Sequence, residues 1–173
     1  RAALDKAVRW LCNCRMTMRG SNWDNDAVWG WLYGTVAMTA IAQDPRYQSD
    51  AFRDPVASRG KEFAGWLAKN QEPLGGFGYY DDPPYTRRPK WGTSFSTASV
   101  VPALGLAQRL GWLPDAATQE RAVGYVRRCR LPNGAYEYDL SPVPRMNGGT
   151  LSSTAAVHST LVSPPSIITE PSA

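Results

Sequence analysis

With 173 residues the chain is long enough for one domain with a core of its own. It has no run of 18 apolar residues, which argues against a membrane-spanning helix. The formal net charge of +4 is scattered, with no block of five or six cations, and this argues against nucleic-acid binding.

The first predicted element is a helix over residues 2–14, where Ala7, Trp10 and Leu11 recur at i, i+3, i+4. Residues 35–42 form a second segment, rich in Ala and Thr and free of charge. A turn region over 43–55 leads to a helix over 56–70 with Phe63, Trp66 and Leu67 at the same spacing. Residues 93–108 are again nearly uncharged, and Pro102 inside them predicts a kink or a late helix start. A helix over 117–130 follows, with Ala122, Tyr125 and Val126 as its stripe, and residues 150–162 form a third uncharged segment. The Pro- and Ser-rich residues 163–173 read as a tail. A helix with a charged face faces water, and one without must be buried on most sides. The fold class is therefore all-α, as three hairpins of a charged outer helix and an uncharged inner helix.

These hairpins are copies of one another. Gly34-Thr35-Val36-Ala37-Met38-Thr39-Ala40, Gly92-Thr93-Ser94-Phe95-Ser96-Thr97-Ala98 and Gly149-Thr150-Leu151-Ser152-Ser153-Thr154-Ala155 share the pattern G-T-x-x-x-T-A, at spacings of 58 and 57 residues. Trp10, Trp66 and Tyr125 precede those glycines by 24, 26 and 24 residues, and Arg15, Gln71 and Arg130 follow the aromatics by five. Each copy then has a turn with Gly and an aromatic: Gly20 to Trp23, Gly75-Gly76-Phe77, Gly134-Ala135-Tyr136. The repeats run over about 2–43, 56–110 and 117–162, and a fixed period of this length marks a repeat architecture. The recurring stripe position makes Trp10 and Trp66 expected packing anchors.

The middle copy reads Gly60-x5-Trp66-Leu67-x3-Gln71-x3-Gly75-Gly76-Phe77. It resembles the glutamine-tryptophan repeat of squalene and hopene cyclases and the related repeat of protein prenyltransferase beta subunits. That resemblance implies an alpha-alpha toroid, with parallel inner helices wrapped by antiparallel outer ones, here a partial one. It implies that Gln71 caps a neighbouring helix and that Phe77 stacks on it, with Arg15 and Trp23, and Arg130 and Tyr136, as degenerate copies. It also implies what an enzyme of the family needs. Class II cyclases protonate substrate from Asp-x-Asp-Asp, and Asp24-Asn25-Asp26-Ala27 falls short of it. Prenyltransferases hold zinc with Asp, Cys and His, and where the pattern expects a His this chain has Lys90-Trp91-Gly92-Thr93. No catalytic residue, metal or cofactor is therefore expected.

Several groups are candidates for binding. Thr35 and Thr39 with Gln43, Thr93 and Thr97 with Val101, and Thr150 and Thr154 with His158 each lie on one helix face, at i, i+4, i+8. Their hydroxyls either line a cavity or serve as caps and backbone partners. Arg87, Arg88, Lys90 and Arg145 precede inner helices, and with the helix N-termini they would suit an anion; they read otherwise as loop charges. Asp24, Asp26, Asp81, Asp82 and Asp139 could gather a hard cation at one rim, or be ordinary turn residues. His158 is the one side chain whose unperturbed pKa suits proton transfer near neutrality, or else a hydrogen-bonded core group. Cys12, Cys14 and Cys129 give no disulfide framework and read as small packing thiols.

The leading functional expectation is a non-catalytic repeat module that binds a protein partner or a ligand, apolar or anionic, at its concave face. One rival is a piece of a terpene cyclase or prenyl-diphosphate enzyme whose acid lies elsewhere. Another is a scaffold subunit of a larger assembly. Apolar flanks at Val36, Ala37 and Ile41, and at Leu151, Ala155, Val157 and Leu161, predict association with another protein or with itself.

Overall fold

The computed structural model describes residues 1–15, 27–78, 92–140, 154 and 157. Its described part is all-helical: α1 (Ala2–Asn13), α2 (Ala27–Gln43), a short 3-10 turn (Pro45–Tyr47), α3 (Asp50–Lys69), α4 (Ser94–Arg109) and α5 (Ala117–Arg128). No β-strand occurs among the described residues, although two isolated bridges join Phe77 to Thr93 and Arg130 to Tyr136.

The charged helices α1, α3 and α5 fall where the periodicity puts them, but two starts differ. The uncharged α2 begins at Ala27, eight residues ahead of Thr35. The stretch Ala27-Val28-Trp29-Gly30-Trp31-Leu32-Tyr33 has no proline or charge to stop a helix, so Gly34 and Thr35 lie inside it. Thr93 does begin its helix, as the N-cap of α4, with its hydroxyl accepting from the Ser96 amide. The helix α3 starts at Asp50 and runs through Pro55, and α4 likewise continues through Pro102.

The packing order also differs from a set of self-contained hairpins. The tightest pairs are α2 with α3 and α4 with α5, so α3 and α5 each pack chiefly on the uncharged helix before them. The two uncharged helices also touch each other, while α1 rests on α3. One core gathers Val28, Trp31, Leu32 and Met38 of α2 with Val56, Phe63 and Leu67 of α3 and Val100 and Leu104 of α4. A second joins Tyr125, Val126, Cys129, Tyr136 and Val157. Val157, expected on an exposed flank, is fully buried there.

Trp10 and Trp66 are not buried anchors. Trp10 is 67% exposed and Trp66 48%, whereas Tyr125 at the same repeat position is 1% exposed. In α3 the buried stripe is Val56, Gly60, Phe63, Ala64 and Leu67, and Trp66 sits at its margin. There it stacks on Trp31 with centroids 5.8 Å apart, and Lys69 lies over its ring at 5.0 Å. In α1 only Val8 is buried, so the same stripe is half uncovered.

Candidate functional site: an aromatic row on the uncharged helices

The repeated residues build the turns. In the second copy the Glu72 amide donates to the Gly76 carbonyl at 3.0 Å, and the Gly75 amide to the Glu72 carbonyl at 2.9 Å. The third copy repeats both bonds, from Leu131 to Ala135 at 2.8 Å and from Gly134 to Leu131 at 2.9 Å. The last Thr of the second and of the third motif then locks the aromatic of its own turn. Phe77 donates its amide to Thr97 Oγ1 at 2.8 Å, and Tyr136 donates to Thr154 Oγ1 at 3.1 Å. A buried amide needs such a partner, which gives the recurring Thr a reason independent of any ligand.

Threonine hydroxyls also donate to backbone carbonyls three or four residues earlier. Thr35 donates to the Trp31 carbonyl at 2.8 Å, Thr39 to Val36 at 2.8 Å and Thr97 to Thr93 at 2.6 Å. All four of Thr35, Thr39, Thr93 and Thr97 are buried. Their oxygens are bonded to the protein's own backbone: Thr35, Thr39 and Thr97 donate to carbonyls, and Thr93 accepts from the Ser96 amide. Gln43 at the end of α2 is exposed and donates to the Thr39 carbonyl. His158, Arg87, Arg88, Lys90 and Arg145, and the acids Asp24, Asp26, Asp81 and Asp82, lie outside the described residues. Asp139 is half-buried beside the third turn. Among the described residues no group of three or more His, Cys, Asp or Glu could hold a metal ion.

Gln71 is buried and connects two copies. Its amide donates to the Gly75 carbonyl and, at 2.9 Å, to the Thr118 carbonyl in the first turn of α5; its oxygen accepts from Arg121. Tyr125 donates its hydroxyl to the Gly92 carbonyl at 2.6 Å. Gly92 itself has no room for a side chain, because a Cβ would lie 2.8 Å from the Gly76 backbone. These contacts make the Gly, Gln and aromatic positions architectural.

Burial also bears on two of the thiols. It pushes Cys129 up to about 12, with the nearby Arg128 acting weakly against it, so the group is a protonated packing element at neutral pH. Burial also raises Cys12. Cys14 donates its thiol to the Leu11 carbonyl, and all three cysteines are free.

A row of rings is open to a ligand. Trp29 and Tyr33, one turn apart on α2, stack with centroids 6.1 Å apart. Trp29 also meets Phe95 of α4 at 6.3 Å, and Phe95 meets Tyr138 beyond the third turn at 5.8 Å. The row thus crosses two uncharged helices and a loop. Tyr33 is 65% exposed, and Trp29, Phe95 and Tyr138 are half-buried. Val36 and Ala40 extend it along α2 at helical spacing, and both are exposed. No charged residue occurs from Ala27 to Gln43, so the α2 part of this face can stack and desolvate without presenting a charge of its own.

Sequence reasoning missed Trp29 and Tyr33 because it started the helix at Thr35. The signal was present as an apolar run in which Trp29, Tyr33, Val36 and Ala40 share one face while Trp31, Thr35 and Met38 share the other. No helix among the described residues is long and apolar enough to cross a membrane. Comparisons of the chain with protein-family models, with curated proteins and with solved structures return no match.

Proposed function

We propose that this chain is a non-catalytic repeat module of the alpha-alpha toroid kind, with parallel inner helices, that binds a protein partner or an uncharged ligand at the face of those helices. The observation that carries the reading is the half-exposed, charge-free aromatic row from Tyr33 through Trp29 and Phe95 to Tyr138. Exposed contiguous rings on a buried-type helix are unusual for a surface that meets only water. Such a face favours rings, aliphatic chains and apolar side chains through burial and stacking, and it disfavours ions. The toroid part of the proposal is supported by the duplicated turn bonds and by the sequence resemblance.

Tryptophan fluorescence can test it, with Trp29 as the reporter nearest the row. A long-chain isoprenoid alcohol, a neutral oligosaccharide and an uncharged amphipathic peptide would be titrated separately. The expected outcome is saturable quenching by at least one, lost in Tyr33→Asp. If none of the three binds saturably, or if binding survives Tyr33→Asp, the aromatic row is not a binding face.

A further inference from the structure

Arg59, in the middle of α3, is a buried cation at 9% exposure. Its Nη1 donates to the Glu62 carboxylate at 2.5 Å, and its Cζ lies 4.2 Å from the Phe63 ring centroid. Its Nη2 meets Cys14, the C-cap of α1, at two atoms: it bonds the carbonyl and lies 3.7 Å from Sγ. The Nε–H shares one edge of the guanidinium fork with Nη2. That Nε is buried and has no hydrogen-bond partner among the described residues. An unmatched buried donor on a charged group costs free energy, so the edge that faces Cys14 is one acceptor short.

We propose that Cys14 is a modification site for hydroperoxides, oxidised to a sulfenic acid whose oxygen is held by the Nε–Nη2 edge of Arg59. The thiol gives up its proton and the sulfur attacks one peroxide oxygen. The S–O bond forms as the O–O bond breaks, and sulfur loses two electrons. The other oxygen departs as hydroxide, or as alkoxide from an organic hydroperoxide, and takes up the proton. A thiol and a peroxide thus become a sulfenic acid and water or an alcohol. The guanidinium favours both anions on this path, the attacking thiolate and the sulfenate.

The three thiols are not equivalent. Cys129 is buried, and that burial keeps it protonated. Burial also raises Cys12, with the Arg59 charge acting against it. Cys14 is half-buried, with the guanidinium against its sulfur. It stands at the end of α1, where the last helix carbonyls disfavour an anion, and Arg59 offsets them. The resting thiol donates to the Leu11 carbonyl at 3.3 Å, and a sulfenate, which only accepts, must give up that bond. Oxidation therefore trades a contact within α1 for one between α1 and α3.

Hydrogen peroxide added to the full chain tests this, with dimedone to trap sulfenic acid and peptide mass spectrometry to place it. Cys14 should be labelled about tenfold faster than Cys12 or Cys129. Arg59→Lys keeps a charge but removes the Nε–Nη2 edge, and should slow labelling of Cys14 about tenfold. A variant whose α1–α3 joint had merely loosened would expose Cys14 and be labelled faster, and circular dichroism checks that its helices persist. Should Arg59→Lys fail to fold, the ratio of the three cysteines in the unsubstituted chain still decides. Cys12 or Cys129 reacting as fast as Cys14 overturns the proposal. So does a folded Arg59→Lys variant in which Cys14 reacts as fast as in the unsubstituted chain, or faster.

Discussion

Helices α1 and α5 carry the same pattern and live in different surroundings. Both place an apolar pair and an aromatic at i, i+3, i+4, and both end in a cysteine at the same repeat position. In α5 the set Ala122, Tyr125 and Val126 is buried, and Cys129 with it. In α1 the corresponding Ala7 and Trp10 are exposed, and Leu11 and Cys14 are half-buried. The difference lies in what each helix packs on. α5 has α4 and the second turn to pack on, while α1 is held by α3, with Arg59 of α3 bonding the Cys14 carbonyl. Hydrophobic patterning thus marks which residues can be buried; the neighbouring copy decides which are.

The sharpest way to break the comparison is truncation at the shared position. Tyr125→Ala removes a fully buried ring and its bond to Gly92, and should cost about 3–5 kcal/mol. Trp10→Ala, on an exposed side chain, should change stability by about 0.5 kcal/mol or less at concentrations where the chain is monomeric. Urea denaturation of both variants checks this, and losses of equal size would show that the two helices are packed alike.

The two turns offer a smaller contrast. Gly75 and Gly134 both adopt positive φ, at 99° and 84°, so alanine at either should cost about 1–2 kcal/mol from backbone strain. At Gly75 the Cβ also meets the Arg121 carbonyl, which is backbone of a packed helix and cannot swing aside. Gly75→Ala should therefore lose about 1–3 kcal/mol more than Gly134→Ala. Matched melting curves would read the difference, and its absence would mean that α5 does not press on the second turn.

Much of this was legible in the sequence, and for a physical reason. Charged helices write their periodicity plainly, because one face must be apolar and the other wet, and α1, α3 and α5 could be read from Leu11, Phe63, Leu67 and Val126. The uncharged helices lack that contrast. Motif homology with Gly92-Thr93 therefore stood in for it at Gly34-Thr35, and the helix over Trp29 and Tyr33 was missed. The burial of Tyr125 and the exposure of Trp10 could not be read at all, since identical local patterns met different neighbours. The threonines were legible as a repeat but open in meaning until their oxygens were seen on backbone partners.

The central claim is that the last Thr of the second and of the third motif locks the aromatic of its own turn. Native-state hydrogen exchange tests it residue by residue. The Phe77 and Tyr136 amides should be strongly protected. Thr97→Ala, which strips a buried amide of its acceptor at a cost of about 1–3 kcal/mol, should speed exchange at Phe77 far more than at Tyr136. Thr154→Ala should do the reverse. Phe77 exchanging as fast as an open loop amide in the unmodified protein, or the same uniform loss of protection in both variants, would contradict the account.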